Sequence, residues 1–338
     1  SQNIKNFSAQ VSKAARLLKG NHRLALSGTP IENNSVELWS LFDFLMPGFL
    51  GDFHWFKNQF TTPIEKDKDK RKVKLLKKMI YPFILRRKKE EVEQELPEKI
   101  EIVSKLSMEE EQFKLYTDTA DNYRKEFEEQ IDEQNVGKST TRIFEAMLRL
   151  RQICLFPRLV DQEYTRIPSA KFNYLTELLE DISSENHKVL IFSFFTRVLK
   201  IIRKHLDKKE IDYLYLDGST TVGNREKMIH SFQQEDGAGI FLISLKAGGV
   251  ALNLTAADYV IIFDPWWNPA VEAQAVDRTH RIGQTKKVFV YRMVMANSIE
   301  EKMLELQEQK KALVEDLITS DTRAFKDLSK ADILDLFS

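Results

Sequence analysis

Gln274, Arg278 and Arg281 stand at i, i+4 and i+7 in a segment that begins near Ala270 and reads as a helix, with Asp277 beside them. That spacing puts the amide and both guanidiniums on one face, and two cations on one face invite an anion. The segment follows an apolar run, Tyr259 to Asp264, and an aromatic pair bracketed by prolines, Pro265-Trp266-Trp267-Asn268-Pro269. The run reads as a buried strand, and open α/β sheets bind ligands just past the C-terminal ends of their strands. A competing reading pairs one arginine with Asp277 or Glu272 as a surface bridge, worth roughly a few tenths of a kcal/mol.

The elements that must position these groups form a regular alternation after Pro168. Strand candidates are Lys188 to Ser193, Tyr213 to Leu216, Gly239 to Ser244, Tyr259 to Asp264 and Lys287 to Met293. Amphipathic helices fill the gaps, at Lys171 to Ile182, Arg197 to Leu206, Thr221 to Phe232 and Ala270 to His280. Crossovers of this length imply a parallel sheet, so the fold class is α/β. Upstream, Arg23 to Ser27 reads as a short strand emptying into Gly28-Thr29-Pro30, and Asn34 to Phe44 as a helix. Residues from Asp52 to about Tyr81 read as helical and increasingly basic. Glu90 to Lys105 mixes charge with Pro97 and reads as a linker, and Glu109 to Glu133 and Thr141 to Cys154 read as long helices. Ser298 to Ile318 reads as one long charged helix, with a further helix at Lys330 to Leu336.

Composition bounds the function classes. The 338 residues suffice for two domains, and 51 acids balance 51 bases, which argues against a histone-like binder and leaves nucleic-acid contact to local patches. The single Cys154 and six scattered histidines give no disulfide and no ligand spacing for a metal. No apolar run reaches membrane-spanning length, and Ser1-Gln2-Asn3-Ile4-Lys5 lacks a signal peptide's apolar core, so a soluble, intracellular and monomeric protein is expected.

Several blocks, in order, resemble the C-terminal part of SWI/SNF-type ATPases, the helicase-like family of DNA translocases. Leu26-Ser27-Gly28-Thr29-Pro30-Ile31-Glu32-Asn33 resembles the block ending the first RecA-like lobe. Ile84-Leu85-Arg86-Arg87-Lys88 and Leu96-Pro97 resemble the interlobe region, and Leu150-Arg151-Gln152-Ile153-Cys154 the helical insertion. Val189 to Thr196, Leu216-Asp217-Gly218-Ser219, Ser244 to Thr255 and Gln274 to Gln284 resemble second-lobe blocks. The resemblance implies the end of the first lobe over residues 1–50, its helical insertion over 51–90 and an interlobe linker over 91–108. It further implies an insertion of the second lobe over 109–168, a second RecA-like lobe over 169–297 and a helical brace and tail over 298–338.

With this resemblance, Arg278 and Arg281 fit arginine fingers that stabilise charge on a transferring phosphoryl group, with Gln274 orienting them and Gly249 and Asp277 beside the nucleotide. Lys246-Ala247-Gly248-Gly249 follows a strand, where paired glycines allow close approach to phosphate. Lys246, Gly248, Thr255, Ser193, Thr196, Gly218 and Ser219 become candidate contacts to duplex DNA backbone, the hydroxyls having helix capping as their alternative. Arg86 and Arg87, and less strongly the run Lys66 to Lys74, are further phosphate candidates. Gly28, Thr29, Pro30, Trp266 and Trp267 are candidates for coupling between lobes, with one tryptophan ring buried and the other near the interface. Cys154 reads as a buried small hydrophobe.

ATP with magnesium is the implied cofactor pair, bound mainly by parts of the first lobe not present in these residues. Gly137-Lys138-Ser139 imitates the end of a phosphate-binding loop, but Asp132 stands where its first glycine is required and no strand precedes it. The chain reads as cut inside the first lobe, and alone it is expected not to hydrolyse ATP. Two alternatives remain open: an RNA helicase lobe, and a non-catalytic module binding DNA or protein. The compartment is cytoplasmic, at the nucleoid, for a prokaryotic source and nuclear for a eukaryotic one.

Overall fold

The computed structural model describes residues 1–26, 35–65, 69–85, 96–130, 136–248, 252–266 and 269–305, with Leu334 and Phe337. They divide into two compact units, one drawn from Ser1–Lys89 and one from Glu90–Gln307 with Leu328–Ser338.

The first unit holds helices α1 (Gln10–Leu17), α2 (Ser35–Leu45) and α3 (Lys70–Ile80), with short helical turns between α2 and α3. Its core gathers Leu38, Trp39, Phe42, Phe56, Phe60, Val73, Leu76 and Ile80. The strand expected at Arg23 is not formed over residues 23–26. A strand needs a neighbour for its backbone groups, and among the described residues no strand pairs with 23–26; the Arg23 guanidinium donates to the carbonyls of Phe44 and Leu18 at 2.6 Å each.

The second unit carries the predicted parallel α/β sheet. Its strands are β1 (Lys99–Leu106), β2 (Val189–Ser193), β3 (Tyr213–Leu216), β4 (Ile240–Ser244), β5 (Tyr259–Ile262) and β6 (Val288–Met295). All pairings are parallel, in the order β1-β6-β5-β2-β4-β3. The central strands β2 and β4 are buried at every position because both sheet faces are covered. Period-two alternation sends Val189 and Ile191 to one face, against Leu175, Leu179 and Ile182 of α6 (Ala170–Ser184) and Val198 and Ile202 of α7 (Thr196–Lys208). Leu190 and Phe192 face the other side, with Phe232 of α8 (Val222–Gln233) and Ala275 and Val276 of the helix that follows β5. Between β1 and β2, α4 (Glu110–Gln130) and α5 (Val136–Leu155) pair as long helices. Gly137, Lys138 and Ser139 lie within the first turns of α5, a helix and not a loop after a strand. No helix among the described residues is long and apolar enough to cross a membrane.

The segment read as a linker from Glu90 to Lys105 contains β1, in register with β6 from Lys99↔Val288 to Leu106↔Met295. Its charges concealed it. As an edge strand it presents Lys99, Glu101 and Lys105 outward, the usual protection against unwanted pairing. Helices 299–305 and beyond follow the expected pattern only as far as Glu305; the remainder of Ser298 to Ile318, and the helix at Lys330 to Leu336 apart from Leu334, fall outside the described residues.

An ion chain fastens β1 to the sheet. Arg292 of β6 meets Glu101 at 2.6 Å and Glu272 at 3.2 Å, and Lys99 meets Glu101 at 2.7 Å. Partial burial would raise the Glu101 pKa, but hydrogen bonds from Lys99 and Arg292 and their charges hold it down at about 2. A depressed carboxylate contributes stability above its ordinary pKa of 4.5 and loses it as pH falls toward 2. Glu101→Gln is therefore expected to lower unfolding free energy at pH 7 by about 1–2 kcal/mol, discounted for its partial exposure. In denaturant titrations the gap from wild type should close between pH 4.5 and 2, and a gap independent of pH would contradict this.

Candidate phosphate-handling site

The site is built on the end of β5. Beyond Ile262 the chain turns through Phe263, Asp264 and Pro265, and the Asp264 side chain is fully buried. Burial pushes its pKa up to about 7, opposed by the charge of Arg151 and by hydrogen bonds. Arg151, on α5, places Nη2 3.6 Å from the Asp264 carboxylate and 2.9 Å from the Pro265 carbonyl. The Phe194 N–H donates to both Asp264 oxygens, at 3.2 and 3.0 Å. From the preceding residue, Lys171 of α6 donates to the carbonyls of Phe263 (2.9 Å) and Met293 (2.8 Å) while pairing with Glu300 at 2.6 Å. Two buried cations thus clamp three consecutive residues. Cys154 is buried as expected, its thiol pKa pushed up by burial and by Glu300.

In this strand order, β2 connects toward β3 on one side and β5 toward β6 on the other, so their adjacent ends form the switch point where open sheets hold ligands. Here the protein fills that position itself. Phe194 stacks on Trp266 with centroids 3.6 Å apart and planes within 11°. Lys246 lies 4.6 Å over Phe194, and the Arg151 guanidinium 4.9 Å over Trp266. Trp266 is half-buried, and its backbone N–H donates to buried Glu272, the partner of Arg292.

The helix expected to carry the arginines, α9 (Pro269–Val276), ends before them and short of the expected His280. Arg278 and Thr279 bond back to Ala275 and Val276, three residues earlier, and Arg281 bonds to Thr279, so the turn tightens and the helix stops. The i+7 relation of Arg281 to Gln274 is therefore not helical. The two arginines are neighbours all the same: burial, then the Arg281 charge, pulls the Arg278 guanidinium below its ordinary pKa, with Asp277 opposing. Arg278 is half-buried and Arg281 exposed. Both are tied to the loop after β4, for Leu254 N–H donates to the Arg278 carbonyl at 3.0 Å and Arg281 Nη1 reaches the Leu252 carbonyl at 3.4 Å. Gln284 holds the end of the segment by donating to Ala257 (2.8 Å) and accepting from Lys286 N–H (2.9 Å), after Gly283 reverses the chain at φ 98°. Gln274 makes no hydrogen bond to either arginine among the described residues.

The predicted phosphate contacts separate by what their donors already do. Lys246 is exposed; Thr196, at the start of α7, and Thr255 are half-buried; Gly248 ends the one-turn helix Leu245–Gly248. Ser193 has no exposed surface, and its hydroxyl lies between Phe195 backbone groups and Asp264. An outward phosphate contact from Ser193 is not available in this arrangement, because the hydroxyl belongs to the carboxylate's shell. Ser219 donates its N–H (2.8 Å) and hydroxyl (2.6 Å) to Asp217, so neither donor is directed outward, and a Cβ added at Gly218 would meet open space. On α3, Lys70, Arg71 and Lys74 are exposed and Lys72 bonds Gln59. Gly28, Thr29, Pro30, Lys66, Lys68, Arg86, Arg87, Gly249 and Trp267 fall outside the described residues. Neither Arg151 nor Lys171 has a role that the sequence points to: Arg151 stands two residues after exposed Arg149 in the same helix, and Lys171 beside Ala170 and Phe172 at a helix start.

Residues 1–159 match the SNF2-related domain and residues 170–283 the helicase conserved C-terminal domain. The chain is 42% identical to an uncharacterised ATP-dependent helicase of Mycoplasma genitalium, covering 99% of this chain and 32% of that protein. It is 36% identical to the chromatin-remodelling ATPase ISW1 of Saccharomyces cerevisiae, over 98% of this chain and 30% of that one. The chain therefore spans about a third of these relatives' length. The Sulfolobus solfataricus SWI2/SNF2 ATPase core in complex with double-stranded DNA is similar in structure, with TM-score 0.59 and 35% identity over 98% of this chain and 70% of that one. The sheet and its flanking helices are RecA-like, as in that core.

Removing Arg151 leaves the Asp264 carboxyl buried without its nearest cation. Arg151→Ala is expected to cost about 3–5 kcal/mol of stability at pH 8. Because a carboxyl whose pKa is raised takes up a proton as pH falls, the penalty should shrink toward pH 5, read as converging denaturation midpoints of variant and wild type.

Proposed function

Because the chain belongs to the SWI2/SNF2 family of ATPases, we propose that it supplies the arginine-bearing lobe of an ATP-dependent translocase on double-stranded DNA. The observation that carries this reading is the pair Arg278 and Arg281 on the turn after α9, braced by backbone and side-chain bonds to the Lys246–Thr255 loop. Burial and the Arg281 charge pull the Arg278 guanidinium below its ordinary pKa, and an anion bound beside the pair would relieve that cost. In phosphoryl transfer, negative charge spreads over the equatorial oxygens of the moving group, and guanidiniums positioned in advance stabilise it. The residues present fit the phosphates of ATP. Magnesium, which one or two carboxylates and the nucleotide phosphates hold, is assigned with the family resemblance mainly to the first lobe. Lys246, exposed after β4, together with Thr196 and Thr255, is assigned to duplex phosphates, which fix register without reading sequence.

In the full-length protein, Arg281→Ala is expected to reduce DNA-stimulated ATP hydrolysis by about three powers of ten while leaving folding and DNA binding in place. Normal turnover in that variant would sink the finger assignment. Residues 1–338 by themselves are expected to show no ATP hydrolysis above a control carrying Arg281→Ala; DNA-stimulated turnover by the isolated chain would overturn that expectation.

A further inference from the structure

Lys246, Phe194, Trp266 and Arg151 form an unbroken series of contacts from the one-turn helix after β4, where Lys246 is exposed, to the buried carboxylate at the end of β5. The spacings are 4.6 Å from the Lys246 ammonium to the Phe194 ring, 3.6 Å between the rings and 4.9 Å from Trp266 to the Arg151 guanidinium. Each link is fixed from behind. The backbone N–H of Phe194 is held by Asp264 and that of Trp266 by Glu272, and the Arg151 guanidinium by Asp264 and the Pro265 carbonyl. Arg151 Nε is buried and has no hydrogen-bond partner among the described residues. Its guanidinium spends that edge among rings, 5.2 Å from Phe195 as well as over Trp266.

Stacked rings present a negative face that attracts a cation, so the Phe194 ring restricts where the flexible Lys246 stem carries its charge. Lysine is a point charge with many rotamers, and ordering it in advance lowers the entropy lost on binding an anion. We propose that Arg151 is a positioning residue for DNA engagement: through Trp266 and Phe194 it sets where the Lys246 ammonium stands. The arginine sits in the helical pair inserted between β1 and β2, so that pair contributes to phosphate contact without touching the nucleic acid. This inference rests on the assignment of Lys246 to duplex phosphates.

The test is a mutant cycle in the full-length protein, reading the duplex DNA concentration that half-stimulates ATP hydrolysis. Phe194→Leu removes the ring while keeping an apolar side chain and leaves no charge orphaned. Arg151→Lys keeps the cation beside Asp264 but loses the planar fork. Each is expected to raise half-stimulating DNA about two- to five-fold. Combination with Lys246→Ala should add nothing to the Lys246→Ala effect, whereas Phe194→Tyr, which keeps the ring, should behave as wild type. The KM for ATP and the thermal midpoint of Phe194→Leu should stay near wild type; a purely structural role would lower the midpoint and kcat at unchanged half-stimulation. Lys246→Ala itself should flatten the salt dependence of DNA binding by about 0.9 in log–log slope. If Lys246→Ala leaves DNA dependence unchanged, the phosphate assignment fails and the linkage with it. If Lys246→Ala is defective but Phe194→Leu and Arg151→Lys are normal or strictly additive with it, the linkage alone fails.

Discussion

A carboxylate with no access to water sits where the central strands end, and the surrounding architecture answers it. An isolated ionised carboxylate in a low-dielectric interior is strongly disfavoured, so it must be paired, hydrogen-bonded or protonated. Asp264 has the first two from two separate parts of the chain: Arg151 from α5, and the Ser193 hydroxyl and Phe194 N–H at the end of β2. Each partner is constrained in return. The loop after β2 cannot move away without exposing the acid's lone pairs, and α5 cannot slide without stranding a guanidinium. The companion cluster of Lys171, Glu300 and the Phe263 and Met293 carbonyls repeats the logic one residue earlier. Pairs of this kind contribute less to net stability than to uniqueness, because every alternative packing leaves a charge alone.

Much of the fold was legible because both faces of the central sheet are covered. Val189 to Ser193 and Ile240 to Ser244 are continuous apolar runs, and such runs between amphipathic helices have few other interpretations. Edges and ends were harder. β1 carries charge on its outward side, so its alternation was concealed, and its pairing with β6 depends on a partner far along the chain. The arginine helix was extended too far because periodicity marks a face and not a stop. Its end is set by the tightening at Arg278 and Thr279, without glycine or proline at those positions.

Within the site, the sequence could identify groups that chemistry displays but not groups that chemistry hides. Lys246 and Arg281 lie at the surface, in keeping with residues that meet a phosphate. Ser193 and Ser219 are the right residue types in the right blocks, yet their donors serve Phe195 and Asp217. A hydroxyl's partner is decided by the three-dimensional turn around it, which spacing along a chain does not record. Arg151 and Lys171 lie at the opposite extreme. Their importance comes from burial, and in the sequence a buried cation looks like any other member of an amphipathic helix until its carboxylate partner is located.

The union of β1 with β6 also bears on how the lobe comes into being. The first strand of the sheet in chain order is an edge that pairs only with the last, and the ion chain from Glu101 through Arg292 to Glu272 joins the same distant parts. During synthesis β1 leaves the ribosome early and waits, its backbone groups and alternating apolar side chains unpaired, until nearly all of the lobe has followed. The lysines and glutamate that made this strand hard to read are the groups that keep it soluble during that interval. Its partner has to arrive last, so completion of the sheet is a late event in the life of the chain, and the nascent lobe is most vulnerable to aggregation just before it.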